Sequence, residues 1–209
     1  RMADGSYPSA ITACDPGLSD EMDALLARHG IRHVTAVPDD LKAGVVLVAV
    51  KPQMMDTVLP GIKHAVLSDT LVMSVAAGTP VSRFVSIFGE VPVCRCMPNT
   101  PAMVKRGITA VYPTGLVSER QKEAVARLLS AVGKVVWLEA EDQIDLVTGV
   151  SGSGPAYVFY LAEALSKAGQ EAGLPEEIAH ELAVATVSGA GELLHQSGEH
   201  PSVLRHNVT

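Results

Sequence analysis

Six successive apolar residues, Val45 to Val50, followed by Lys51 and Pro52, constrain the fold of this chain more than any other stretch. A strand that is apolar without alternation has both faces covered, and the common way to cover both is a parallel sheet with helices on either side. The pattern recurs. Ala10 to Cys14 ends at Asp15, Pro16 and Gly17; Leu71 to Val75 ends at Ala76, Ala77 and Gly78; Val91 to Cys96, Thr109 to Tyr112 and Lys134 to Leu138 read as further strands. Between them, Met22, Leu25 and Leu26 have helical spacing ended by Gly30, and Thr57 to Ile62, Pro80 to Ile87 and Ser118 to Ala131 read as helices. Strands alternating with helices predict an α/β domain with a Rossmann-like, doubly wound sheet.

After Asp142 the pattern changes to helix alone, with long Ala-, Val- and Leu-rich stretches over Pro155 to Gly169 and Pro175 to Ser197. A domain boundary is expected between residues 143 and 150, giving a sheet domain over 1–146 and an all-helical domain over 147–209. Val158, Phe159, Leu161, Ala162, Ala164, Leu165 and Ala168 occupy most of the first helix's circumference rather than one stripe. A domain of roughly 60 residues cannot cover such a helix by itself, so pairing with a second copy is expected.

Composition narrows the class. The net charge of −7, with no concentrated basic face, argues against nucleic acid as a partner. Cys14, Cys94 and Cys96 are odd in number, contain no CxxC pair and match no histidine cluster. Neither a disulfide framework nor a metal site is expected, and a reducing cytoplasm is the expected setting. No apolar run reaches the roughly 18 residues of a membrane span, so no membrane partner is expected.

Several turns carry residues suited to chemistry. Lys51 at the carboxyl end of a strand can reach a phosphate or ribose, or simply face solvent. Ala76, Ala77 and Gly78 are small enough for a flat ring to approach the backbone, although tight packing explains them equally. Asn99, between Pro98 and Pro101, has a restricted backbone and therefore a fixed amide, which would serve a ligand or an Asx turn. Ser151-Gly152-Ser153-Gly154-Pro155 offers free N–H groups ahead of a helix, or a plain cap at Ser153 with Pro155 early in the helix. Glu199, near a helix start after Gly198, would complement the helix dipole. Asp15 can hydrogen-bond a ribose, or initiate the Asp-Pro-Gly turn. The remaining histidines lack metal-ligand spacing.

In the order AVKPQ, SVAAG, MPNTP, VGKVVW, SGSGPAY and SGEHP, these segments resemble the pyrroline-5-carboxylate reductases over nearly the whole chain. The resemblance implies hydride transfer from NADPH or NADH to the C=N bond of pyrroline-5-carboxylate, giving L-proline in the last step of proline biosynthesis. By the same resemblance Asp15, Ala49, Val50, Lys51, Pro52, Ala76, Ala77, Gly78, Met97, Pro98, Asn99 and Thr100 bind the cofactor. Ser153, Gly154, Pro155, Glu199, Val208 and Thr209 meet the substrate, and Asn99 and Glu199 orient the reactants. A homodimer through the helical domain is implied, with further assembly of dimers allowed. An acid at position 15 favours NADH or dual use, because it would repel the extra phosphate of NADPH.

Two features of the family are expected to be missing here: the opening strand with its glycine turn, which nothing before Ile11 supplies, and a Ser-Pro-Gly-Gly-Thr-Thr-like turn after Thr209. Val37 to Val45 is also compact for the family. The alternatives are a dehydrogenase of another substrate, such as a hydroxy acid or prephenate, and a non-catalytic dimeric homologue. The former would carry a catalytic Lys or His on the interdomain helix, where this chain has only the distant Lys167.

Overall fold

The computed structural model describes residues 10–209; the part of the amino-terminal expectation that concerns residues 1–9 lies outside the described residues. In chain order the elements are β1 (Thr12–Cys14), α1 (Asp20–Arg28), β2 (Arg32–Val34), β3 (Ala43–Val48), α2 (Met55–Gly61), β4 (Val66–Ser74), α3 (Val81–Phe88), β5 (Val93–Met97), β6 (Gly107–Pro113), α4 (Glu119–Leu129), β7 (Gly133–Trp137), α5 (Gln143–Val147), α6 (Gly154–Glu171), α7 (Glu176–Ser197) and α8 (Pro201–His206). The chain divides into two compact units, the first ending at Gly152 and the second running from Ser153 to Thr209. The 146/147 boundary expected from sequence falls inside α5. The chain has already become helical before it leaves the first unit, so the change of pattern precedes the division.

Within the first unit, β3, β4, β5, β6 and β7 form one sheet in that spatial order, while β1 and β2 pair as a separate parallel ribbon. The pairs β3–β4, β4–β5 and β6–β7 are parallel. The β5–β6 pair is antiparallel, because only the short 3-10 turn Thr100–Val104 joins the two strands and no crossover helix intervenes.

Side chains alternate across the sheet, and each face has its own core. Val72 and Val93 point to one face with Val48, Met55, Leu59 and Phe84. Leu71, Met73, Cys94 and Cys96 point to the other, against Val111, Val125 and Leu129. The expectation of two covered faces fails for β3. Among the described residues it is the sheet's edge, paired only with β4, and Val45 and Leu47 are 47% and 51% exposed. Val48 alone of its residues is fully buried.

Helix ends follow their local chemistry. Ser19 accepts a hydrogen bond from the Met22 N–H at the start of α1, and Gly30 takes φ +64° just beyond its end. At α4 the Ser118 hydroxyl accepts from the Gln121 N–H while the Gln121 amide oxygen accepts from the Ser118 N–H, a capping box.

In the second unit α6 packs along α7, with Ala179 close against Gly169. Only Ser166, Ala179 and Ala183 are buried in these two helices. Among the described residues, no helix is long and apolar enough to cross a membrane.

Candidate functional site

The parallel strands β3 and β4 end side by side, and an open cleft of about 500 Å³ lies beyond their carboxyl ends. Pro52 and Met55 form one wall; Gly78, Thr79, Pro80 and Arg83 form the other. This is the edge where open α/β sheets bind ligands. After β3 the chain stays extended through Lys51 (φ −60°, ψ 144°) until Pro52 opens a 3-10 turn leading into α2. Lys51 is exposed beside the cleft wall.

After β4 the Ser74 hydroxyl accepts the Ala76 N–H at 3.3 Å and turns the chain. Gly78 then adopts φ +69°, a left-handed conformation that a side chain would strain, and a Cβ there would project into open space. The glycine is therefore required by conformation and leaves the cleft wall bare. Ala77 is exposed. Ala76 is not: it is 7% exposed and packs with Val48 and Phe84, the tight packing that the sequence equally allowed. Val50 is likewise packed partly against that core, whereas Ala49 is exposed.

Arg83 went unrecognised in the sequence, where one cation in a short amphipathic helix has no distinguishing signal. It faces the cleft from α3 and pairs with Asp56 of α2. With Lys51 it gives this edge cations suited to an anionic ligand.

A second cluster joins two motifs that are far apart in sequence. The Asn99 Nδ2 donates to the Ser151 carbonyl at 3.1 Å, and its Oδ1 accepts the Ile108 N–H at 2.9 Å. Asn99 is thus neither an Asx turn on its own neighbours nor an amide wholly free for a ligand; one donor hydrogen and one lone pair remain. Gly152 lies against Met97, whose Cε would be 2.8 Å from a Cβ at that position. Pro98 is half-buried and Thr100 exposed.

The segment expected to be a capped loop is helical. Thr148 to Gly152 forms a wide π-type turn directly after α5, with the Thr148 hydroxyl donating to the Ile144 carbonyl and the Ser151 hydroxyl to the Val147 carbonyl. Ser153 occupies the N-cap position of α6 in αR geometry and makes no side-chain cap bond, because the chain arrives already coiled. Gly154 and Pro155 do open α6. Such wide turns are frequent at functional positions.

Asp15 adopts the turn-initiating arrangement. Its Oδ1 accepts the Gly17 N–H at 2.8 Å, and its carbonyl accepts from His33 Nε2 at 2.9 Å. In the second unit Gly198 ends α7 at φ +67°, and the next residue, Glu199, is exposed with its N–H donating to the Ser197 hydroxyl. The cap of α8 is His200, whose Nδ1 accepts the Ser202 N–H, a role the sequence did not single out. Val208 is exposed, and the Thr209 hydroxyl donates to the Arg205 carbonyl.

The buried thiols are unsuited to nucleophilic chemistry. Burial pushes Cys94 up to about 12, against a smaller opposing pull from Lys122, and burial raises Cys96 as well. Among the described residues no group of three or more His, Cys, Asp or Glu gathers in a metal-binding arrangement.

Residues 141–209 match the family profile described as pyrroline-5-carboxylate reductase dimerisation. The pyrroline-5-carboxylate reductase of Pseudomonas aeruginosa is 40% identical over 212 residues, a match covering 99% of this chain and 76% of that one. Among solved structures, a pyrroline-5-carboxylate reductase from Coxiella burnetii superposes with a TM-score of 0.88 at 34% identity, over 99% of this chain and 77% of that one. A Plasmodium falciparum pyrroline carboxylate reductase with NADP bound gives 0.77 at 25% identity, over 95% and 75%.

Proposed function

The chain belongs to the pyrroline-5-carboxylate reductase family, and on that footing we propose that it reduces the C=N bond of pyrroline-5-carboxylate with NADPH or NADH to form L-proline. The observation that carries the reading is the cleft beyond β3 and β4. Its walls contain Pro52 and Gly78 from two of the motifs the chain has in common with the family, and Lys51 stands beside them. The Plasmodium falciparum relative binds NADP.

The residues present suit a dinucleotide. Gly78 leaves space at the wall where a Cβ would otherwise project. Lys51 and Arg83 supply positive charge for phosphate oxygens. When bound, the reduced nicotinamide supplies the hydride, and the protonated imine is already electrophilic. The protein's contribution is orientation, and neither a covalent nucleophile nor a strong general acid is required. Asn99 serves this by tying the Met97–Thr100 segment to β6 and to the wide turn, which fixes the backbone around Met97 and Pro98. In the second unit, Ser153, Gly154, Pro155, Glu199, Val208 and Thr209 are assigned to the substrate on the family resemblance.

The proposed assembly is a homodimer through the helical unit, supported by the dimerisation family match and by the apolar side chains that unit exposes. A cytoplasmic setting fits the three free cysteines.

The test is the oxidation of NADPH and NADH, side by side, by the purified full protein with and without pyrroline-5-carboxylate. Imine-dependent oxidation is expected with at least one cofactor. Tight binding of NADPH or NADH without imine-dependent oxidation would overturn the substrate and leave a dinucleotide enzyme of another kind. Absence of both binding and oxidation would overturn the reading altogether.

A further inference from the structure

We propose that Glu141 is a positioning residue for the cleft: held by the buried Arg95, its carboxylate caps α3 from outside that helix and thereby fixes the wall formed by Gly78, Thr79 and Pro80. The proposal rests on the reading that this cleft receives the dinucleotide.

Helix α3 has no cap of its own. Its N-cap position is Pro80, which has no side-chain acceptor. The Val81 N–H donates instead to Glu141 Oε1 at 2.8 Å, across 60 residues of sequence. A carboxylate at this position also opposes the positive end of the helix dipole. The same oxygen accepts from Arg95 Nη1 at 3.1 Å, while Arg95 Nη2 donates to Asp145 at 3.3 Å. Arg95 is 6% exposed, and among the described residues its Nε has no partner and these two carboxylates are the acidic groups paired with it.

The arrangement fixes both ends of one segment. Arg95 of β5 lies in register with Ser74, the last residue of β4, and through Glu141 it also holds Val81, the first residue of α3. The residues strung between those anchors include Gly78, Thr79 and Pro80 of the cleft wall, and Arg83 follows within the first turn of α3. A local change at Glu141 is therefore transmitted to ligand binding through backbone that Glu141 does not itself touch.

The experiment compares wild type, Glu141→Ala and Glu141→Gln for NADPH and NADH affinity, for steady-state kinetics, and for hydrogen–deuterium exchange over residues 76–86. The alanine variant is expected to weaken cofactor affinity and raise its KM at least tenfold with kcat within threefold, and to speed exchange in the first turn of α3 at least tenfold. The glutamine variant retains an acceptor for the Val81 N–H, and it is expected to recover most of the exchange protection and to lose affinity less than the alanine variant. It also serves if the alanine variant fails to fold, in which case a loss of affinity confined to KM is the expected reading. Unchanged exchange and unchanged cofactor affinity in a folded variant would overturn the proposal. Should wild type bind neither cofactor, the functional reading fails separately; faster exchange would then still support the cap, and unchanged exchange would sink it.

Discussion

Asn99 shows how a residue singled out in a sequence motif can be tied into the scaffold. Its amide oxygen satisfies the N–H of Ile108 near the start of β6, and its amide nitrogen satisfies the carbonyl of Ser151 in the wide turn. Replacing Asn99 with Ala removes both bonds at once and leaves a part-buried N–H unpaired, a loss of about 1–3 kcal/mol by the usual cost of an orphaned polar group. Asn99→Asp keeps the acceptor for Ile108 but sets a carboxylate against the Ser151 carbonyl, so it is expected to destabilise at least as much. Urea unfolding read beside kcat/KM measures both effects: the two variants should lose stability and lose imine turnover at least tenfold. Unaltered stability in Asn99→Ala would show that the two hydrogen bonds contribute no net stability. From sequence, the paired prolines around this residue signalled a fixed amide, but its partners at positions 108 and 151 could not be read, because only the folded chain brings them together.

At the scale of elements, the β6–β7 pair begins with two glycines in register, Gly107 opposite Gly133. Gly133 adopts φ +153°, and a Cβ there would stand 1.9 Å from the Gly107 carbonyl oxygen, which is backbone and cannot swing away. Gly107 is also hemmed in, less severely, since its own Cβ would meet the Ala102 backbone at 2.9 Å. Gly133→Ala is therefore expected to pry β7 from β6 and cost roughly 3 kcal/mol or more. That corresponds to a fall in Tm of about 6–12 °C at this chain length. Gly115→Ala, with nothing within 4 Å, should shift Tm by no more than about 2 °C. Thermal unfolding of the two variants separates them, and equal shifts would refute the clash. The element most readable from sequence was β4, where Leu71, Val72 and Met73 are apolar and buried on both faces and so appear as an unbroken run, whereas the buried stretch of β5 is interrupted by Arg95. β3 has the same composition yet lies at the sheet edge among the described residues, with Val45 and Leu47 exposed, and composition cannot distinguish a covered strand from an uncovered one. β2 is three residues long with His33 at its centre, too short for any period to emerge. The wide turn at Thr148–Gly152 was hidden by its glycines and serine, which read as a loop. The tie between Arg95 and Glu141 spans 46 residues and has no local signature at all.

For the whole molecule, the decisive imbalance is in the helical unit. Tyr157, Phe159, Tyr160 and Leu161 of α6, with Leu182 and Leu193 of α7, are each more than half exposed, whereas the side chains buried in those helices are an Ala pair and one Ser. Large apolar groups spread over two helices amount to a domain core lacking its other half, and such a surface is stable in water only when another apolar surface covers it. A second copy of the same unit is the partner with matching chemistry, and it fits the dimerisation family to which residues 141–209 belong. The interface should be of the obligate kind, large and apolar, so that dissociation and loss of stability occur together. A charge placed in it would have to be buried without a partner, at a cost of several kcal/mol. Phe159→Glu and Leu182→Glu, made separately, are therefore expected to halve the mass seen by light scattering at micromolar concentration, or to leave the helical unit partly unfolded by circular dichroism. Lys167→Glu, a charge reversal at an already charged and exposed position of α6, should change neither. If wild type is itself monomeric at tens of micromolar, or both glutamate variants keep its full mass and helicity, these side chains are not the contact surface.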